Sequence, residues 1–261
     1  MKLFFYVTLA FAILSSTVSQ CAQFQASATP AYGTEERNRL YNEEATKRLT
    51  QALEELDEEA AGEALRAGVD PTYNENGSPR FFALARFFQV WLDGNMTLVN
   101  RQTSEKINKL AQLLLDNNAD INVRRYTTFG TALHSATSTP VSFVRLIIDA
   151  GADINAKGNG ERTPLMLSII EESPDVVEFL LSRGADTTTL RDFSGKTALD
   201  HLLQKTQDYI KPQGPGHHLI NKENLNAMFE IFIEYFSQKQ DQTSLDKLKE
   251  MYLELKYSDS K

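Results

Sequence analysis

The stretch from Thr131 to Thr189 contains one phrase twice. A Thr-x-Leu opening at 131–133 returns 32 residues later at 163–165, and Gly-Ala-Asp at 151–153 returns 33 residues later at 184–186. An apolar run lies between the opening and the ending in both copies. Self-similarity at this period is typical of proteins whose repeats each form one small structural unit and pack against their neighbours. We therefore expect a stack of units rather than one spherical core.

Each copy predicts a pair of helices joined by a turn. Thr131 and Thr163 are placed to cap the first helix through their side-chain oxygens, and Pro164 stands at the first helical position, where its missing N–H breaks no hydrogen bond. Gly151 and Gly184 follow the second helix, where the chain commonly takes a left-handed backbone that favours glycine or, less often, asparagine.

The same ending marks further units. Asn118-Ala-Asp-Ile-Asn repeats it at 118–122 with Asn118 in the glycine position, Gly-Val-Asp repeats it at 68–70, and Gly-Lys-Thr-Ala-Leu at 195–199 opens another first helix. The predicted boundaries follow from these endings: units at 36–70, 71–122, 123–155, 156–188 and 189–240, then a C-terminal capping helix at 243–257.

The Thr-Pro-Leu opening at 163–165 and the Gly-Ala-Asp endings resemble the ankyrin repeat. The resemblance implies an all-α fold for 36–261, an ankyrin-repeat solenoid of about five helix-turn-helix units with degenerate N- and C-terminal caps. It also implies that the turns and first helices line a concave surface used for protein recognition. His134 matches the histidine of the family's Thr-Pro-Leu-His motif, which makes hydrogen bonds between neighbouring repeats.

By residue-for-residue match with the family, three turn tips project toward a partner, although plain solvated turns are the alternative. The predicted binding residues on them are Arg124, Arg125, Tyr126, Lys157, Asn159, Glu161, Arg162, Arg191, Asp192 and Phe193.

An insertion enlarges the second unit, because Asn118 lies 50 residues beyond Gly68 instead of 33. We place it at 86–103. Insertions in repeat proteins often lie on the binding face, and tryptophan is a favoured interface anchor, so Trp91 joins the predicted binding residues. The alternative is that Phe82 and Trp91 pack an extended helix against its neighbours.

Charge and motifs exclude several classes of function. A net charge of −8 and the lack of a concentrated basic face argue against nucleic-acid binding. No glycine-rich phosphate loop, Gly-x-Ser-x-Gly or His-Glu-x-x-His occurs. We interpret His217-His218 as a loop pair and Asp200-His201 as part of a repeat helix. The prediction is a protein that is not an enzyme, with no catalytic residue, metal site or cofactor.

The N-terminus resembles an export signal. Met1-Lys2 precedes the apolar stretch 3–14 and the small residues 15–19, so we assign residues 1–20 as a signal peptide. The apolar stretch is too short to span a bilayer about 30 Å thick. Cys21 resembles the lipidated cysteine of a bacterial lipoprotein, but Gln20 departs from the lipobox; ordinary cleavage, which would leave Cys21 as a free thiol, is the alternative.

Residues 21–35 are small and polar and predict a flexible lead-in, or a tether if Cys21 is lipidated. The sequence thus predicts an exported, monomeric module of the periplasm or cell envelope that binds or neutralises another protein, with an immunity-type role among the options. It would contact a membrane only through a lipidated Cys21. Two alternatives are an accessory protein for an envelope enzyme, such as one of oxidative-stress defence, and a secreted effector.

Overall fold

The computed structural model describes residues 34–74, 78–94, 101–125, 130–211 and 220–258, with side chains from residue 43 onward except those of 89–94. The chain divides into two units, 1–44 and 45–261. The first is described only from Thr34, where it is helical. The predicted signal peptide, Cys21, Tyr126 and His217-His218 lie outside the described residues, as does the side chain of Trp91.

Eleven helices account for the regular structure of the described residues. They are α1 (Thr34–Glu55), α2 (Glu58–Arg66), α3 (Arg80–Gly94), α4 (Arg101–Asp116), α5 (Ala132–Ser135), α6 (Val141–Asp149), α7 (Pro164–Ile170), α8 (Pro174–Ser182), α9 (Ala198–Ile210), α10 (Lys222–Lys239) and α11 (Gln242–Tyr257), with a 3-10 turn at Asn159–Glu161.

The helices of residues 45–261 pack in two rows. The first helices of successive units contact one another in the order α3, α5, α7, α9, and the second helices do so in the order α2, α4, α6, α8, α10. The last helix, α11, packs on both α9 and α10. This arrangement confirms the predicted all-α repeat solenoid. One continuous apolar core runs between the rows, and Phe88 of α3 contacts Phe143 of α6 with ring centroids 5.3 Å apart.

The helix ends show how local sequence sets the pattern. Thr163 accepts a hydrogen bond from the Met166 N–H at its side-chain oxygen, as predicted. Thr131 differs, because its own N–H donates to the ring of His134, and its hydroxyl lies 2.9 Å from the same nitrogen. Asn118 has a φ of 66° and Gly151 a φ of 89°, so both take the left-handed backbone predicted for the position after a second helix.

The predicted insertion is helical wherever the structure describes it. Residues 86–94 continue α3, which has 15 residues against 7 in α7, the first helix of the fourth unit. α4 begins at Arg101, inside the predicted insertion of 86–103. None of the helices in the described part of the chain is both long and apolar enough to cross a membrane.

Candidate protein-binding surface

Side chains link the turns that follow four successive second helices, α2, α4, α6 and α8. In each case a side-chain oxygen accepts a hydrogen bond from the backbone N–H of an aspartate. The pairs are Thr72 Oγ1 with Asp120 (3.0 Å), Asn122 Oδ1 with Asp153 (2.8 Å) and Asn155 Oδ1 with Asp186 (2.9 Å). These bonds fix the register between turns, so the turn tips form one row. Sequence reasoning missed them, although the recurrence of asparagine at 122 and 155 was a signal for them.

His134 joins the third unit to the fourth, as the resemblance implied. Its Nδ1 accepts the Thr131 N–H at 3.0 Å, so its proton lies on Nε2, which donates to the carbonyl oxygen of Arg162 at 3.1 Å. Burial lowers the pKa of His134 below its usual value, against the backbone hydrogen bond to Arg162. The neutral ring is therefore the form that holds this junction together.

Asp192 organises the turn of the fifth unit. Its side chain is 3% exposed, and its Oδ1 accepts hydrogen bonds from the Ser194 hydroxyl (2.7 Å) and the Lys196 N–H (3.0 Å), while Oδ2 lies 3.0 Å from His201 Nε2. Burial alone would raise the pKa of Asp192, but the hydrogen bonds, led by that of Ser194, outweigh it and lower the pKa to about 2. The carboxylate is thus placed to shape a turn rather than to meet a partner directly.

The side chains of Asp192, Ser194 and His201 are not arranged as a catalytic triad. In a serine triad the hydroxyl bonds to the histidine, which takes its proton. Here the Ser194 hydroxyl and His201 Nε2 both bond to Asp192, and the histidine nitrogen is not bonded to the serine. Within the described residues no group of three or more His, Cys, Asp or Glu side chains could hold a metal ion.

We define the turn surface as the exposed part of residues 122–125, 157–162 and 191–196. Two of its turns are bonded directly, since Lys157 Nζ lies 2.9 Å from Glu161 Oε2 and donates to the Arg191 carbonyl oxygen at 3.3 Å. Arg162 Nε lies 3.9 Å from Asp192 Oδ2. The pair of Lys157 and Glu161 is partly exposed, and such surface ion pairs contribute little to stability, so these two charges can pair with a partner instead.

Phe193 is the most exposed of the large hydrophobic side chains that the structure describes as exposed, at 81%. Its backbone is nevertheless fixed, because the Phe193 N–H donates to the Gly160 carbonyl oxygen at 3.0 Å and the next residue, Ser194, bonds to Asp192. Among the other predicted binding residues, Arg124 and Asn159 are exposed, and Arg191 donates to the Gly195 carbonyl oxygen at 2.7 Å.

Arg125 lies at the other end of the turn surface. Its guanidinium carbon is 5.7 Å from the centre of the Phe82 ring, so its charge rests on an aromatic face of α3. The structure therefore brings Arg125 against the first helix of the second unit. The placement of Tyr126 and of the Trp91 side chain lies outside what the structure describes.

Comparison with known proteins identifies the repeat. Residues 102–192 match the family model for ankyrin repeats, in three copies. Ankyrin repeat and SOCS box protein 6 of Mus musculus is 33% identical over 127 residues, 48% of this chain and 28% of that protein. Its human counterpart is 28% identical over 169 residues, 61% of this chain and 38% of that protein.

NF-kappa-B inhibitor alpha of Sus scrofa is 33% identical over 91 residues, 33% of this chain and 28% of that protein. The chain thus spans well under half the length of these relatives.

Proposed function

We infer that this chain, whose residues 102–192 are ankyrin repeats, works as a protein-binding module that uses the turn surface to hold or neutralise a partner protein. Ankyrin repeats are typically interaction modules rather than enzymes. The row of turns, fixed by its side-chain hydrogen bonds, provides a rigid scaffold on which exposed side chains act together.

The observation that carries this proposal is Phe193. Its aromatic side chain is 81% exposed and does not pack in the core. Its backbone is held in place, because its own N–H donates to a neighbouring turn and the N–H of the next residue, Ser194, donates to Asp192. Rigid aromatic groups lose little conformational entropy on binding and are frequent interface anchors. Arg191 beside it and Lys157 on the adjacent turn supply charges around the anchor, as in a polar interface rim.

We further propose that the module acts after export, in the cell envelope or periplasm. The support is the export-signal pattern of residues 1–20 followed by Cys21. The name of the pig relative describes that protein as an inhibitor, which favours neutralisation over other ways of using a bound partner. The mass of the N-terminal peptide of the mature protein tests this proposed location. A diacylglycerol-modified Cys21 supports a lipid anchor, and an unmodified chain that begins near Gln20 supports export without one.

The test of binding compares Phe193→Ala with Tyr257→Ala. Tyr257 is a matched control because it is also a large exposed side chain, at 66%, but lies at the end of α11 and outside the turn surface. Partners are captured from the native source with the wild-type chain and identified by mass spectrometry, and their affinities are then measured by calorimetry. We expect Phe193→Ala to weaken binding by about 2 kcal/mol and Tyr257→Ala to have no effect. Equal affinities for all three chains would contradict the turn surface as the binding site.

A further inference from the structure

A small cavity lies between α1, α3 and the turn that contains Arg125. Its volume is about 170 Å³, and its wall includes three arginines, Arg80, Arg86 and Arg125, against one carboxylate, Glu54. Two positive formal charges therefore remain in excess around this cavity in a chain whose net charge is −8. A concave site lined by charge of one sign concentrates ligands of the other sign.

Arg80 forms the floor of the cavity. It is 1% exposed, and its Nε donates to the Asp70 carbonyl oxygen at 3.2 Å while one terminal nitrogen donates to Thr50 Oγ1 at 2.9 Å. A guanidinium stays charged under any physiological condition, so its burial places a permanent positive charge behind the cavity. The two hydrogen bonds hold that charge in a fixed position.

Arg86 and Arg125 are the other two arginines that line the cavity. Arg86 is exposed and Arg125 is half-buried on the Phe82 ring. Neither guanidinium forms an ion pair with any side chain that the structure describes. Glu54, on the same wall, is exposed and likewise has no such pair. A single arginine binds both oxygens of a carboxylate in a planar, two-pronged arrangement, and either of these two lining arginines can supply it.

We propose that this cavity binds the carboxylate of an acidic side chain of the partner protein. The volume is below the 300 Å³ or so of a drug-sized ligand site and equals about six water molecules, so one side chain fills it. Phe82 and Leu53 provide an apolar wall for the methylene groups of that side chain.

The proposal deepens the proposed function by naming the chemistry of the partner. Only one part of it rests on that function, namely that the carboxylate belongs to a protein. Binding of a carboxylate at the cavity can be measured without any natural partner.

The experiment uses the purified chain and three blocked peptides at low ionic strength. N-acetyl-Ala-Glu-Ala-amide is the probe, N-acetyl-Ala-Gln-Ala-amide removes the charge, and N-acetyl-Ala-Gln-Ala with a free carboxyl end moves the charge to the chain end. Binding is followed by NMR, through the arginine Nε–H signals and the backbone amides of Asn74 and Ser78, which line the cavity. We expect saturable shifts there with the glutamate peptide, and an affinity about tenfold higher than for either of the others.

Two double variants test the arginines. Arg86→Gln with Arg125→Gln is expected to weaken binding of the glutamate peptide about tenfold. Arg66→Gln with Arg101→Gln removes the same total charge at exposed positions that do not line the cavity, and should leave the affinity unchanged. Any of three results would overturn the proposal: equal affinity for the glutamate and glutamine peptides, equal weakening by both double variants, or tighter binding of inorganic phosphate than of the glutamate peptide. Because the peptide comparison needs no mutation, a folding defect in a variant does not hide the outcome.

Discussion

At the scale of single residues, the neutral ring of His134 makes the stability of the third and fourth units depend on pH. Nδ1 accepts from the Thr131 N–H and Nε2 donates to Arg162, and burial lowers the pKa of the ring. The unfolded chain, with a histidine pKa near 6.5, therefore takes up a proton before the folded chain does. The stabilisation is complete above that pKa and is lost as the pH falls below it.

We predict that His134→Ala destabilises the chain by about 2 kcal/mol at pH 7.5, because it leaves the Thr131 N–H and the Arg162 carbonyl without their buried partner. The measurement is urea unfolding of both chains at pH 7.5 and pH 5.5. The wild-type chain should lose stability between these values and the variant should lose less. Parallel losses in both would show that His134 is not a source of the pH dependence; His201, whose pKa burial also lowers, then becomes the candidate.

The carboxyl group of Asp192 also makes the stability of the folded chain depend on pH, but in a lower pH range than His134 does. The pKa of its carboxyl is about 2 in the folded chain against 3.8 in an ordinary aspartate, so the charged form is favoured by folding. This contributes about 2 kcal/mol above pH 3.8, and the contribution disappears as the pH falls toward 2.

Replacing Asp192 with Asn should accordingly lower the free energy of unfolding by about 2 kcal/mol at pH 7 and flatten its decline between pH 5 and pH 2. Guanidinium unfolding over this pH range measures both effects. Ser194→Ala is the control, because it removes one of the hydrogen bonds to the carboxylate and leaves the charge in place. If Asp192→Asn unfolds as the wild-type chain does, the turn is not organised by this carboxylate.

At the scale of elements, the contact between the third-unit helix α5 and the turn after α6 is close enough to exclude a methyl group. A Cβ at Gly158 would lie 2.6 Å from His134 Cδ2 and 2.7 Å from Nε2. His134 is buried and bonded at both nitrogens, so its ring has no alternative position. The turn and the helix are therefore matched in shape as well as in hydrogen bonding.

We predict that Gly158→Ala destabilises the chain by about 2 kcal/mol, as overpacking of a rigid site does. In a chain that already carries His134→Ala, the same change should cost much less, because the ring that it meets is gone. A double-mutant cycle by thermal or urea unfolding measures the difference. Additive effects of the two changes would mean that the ring and the turn do not interact in this way.

The features that could be predicted from the sequence are those that residues close together in the chain determine. The left-handed residue Asn118, the Thr163 cap and the division into helix pairs each depend on a few neighbouring residues. The length of α3 was not predictable in this way, because the extension contains Phe88, which packs against Phe143 of a later unit. Periodicity within one segment does not reveal a contact with a segment 55 residues away.

The candidate site was predicted only in outline, for the same reason. The turn tips follow from the repeat period, and Phe193 was among the residues named there. The burial of Asp192, however, depends on His201 and Lys196 closing around it, and the arginine cavity depends on three separate segments, at Arg80, Arg86 and Arg125. Such clusters arise from tertiary packing, so the spacing of residues in the sequence does not show them.

At the scale of the whole repeat stack of residues 45–261, stability is shared between each unit and its contact with the next. At the C-terminal end this contact includes a half-buried ion pair, Lys205 with Glu172 at 2.9 Å, and Glu172 also accepts the Asn221 N–H at 2.7 Å. These bonds tie α9 and the start of α10 to the fourth unit. The end of the stack is then covered by α11, whose Leu248 and Leu255 are fully buried.

Because α11 covers the end of the stack, we predict that a chain that ends after Gln240 is locally destabilised. Without α11, the apolar side of α10, including Phe229, loses the helix that packs on it; Tyr252 of α11 stacks on Phe229 with ring centroids 5.5 Å apart, and its hydroxyl donates to Glu230. Burying such side chains contributes about 2 kcal/mol each, so the fifth unit should open while the inner units stay folded.

Hydrogen exchange measured by mass spectrometry tests this, because it reports protection segment by segment. In the shortened chain we expect α9 and α10 to lose protection, and α5 and α6 to keep most of theirs, because the third unit still packs against both of its neighbours. Leu253→Ala in the full chain is the matched control: Leu253 is on α11 but 55% exposed, so its loss should leave protection unchanged. Uniform loss of protection from α2 to α10 would instead show that the stack unfolds as one cooperative unit, in which every turn of the binding surface depends on the last helix.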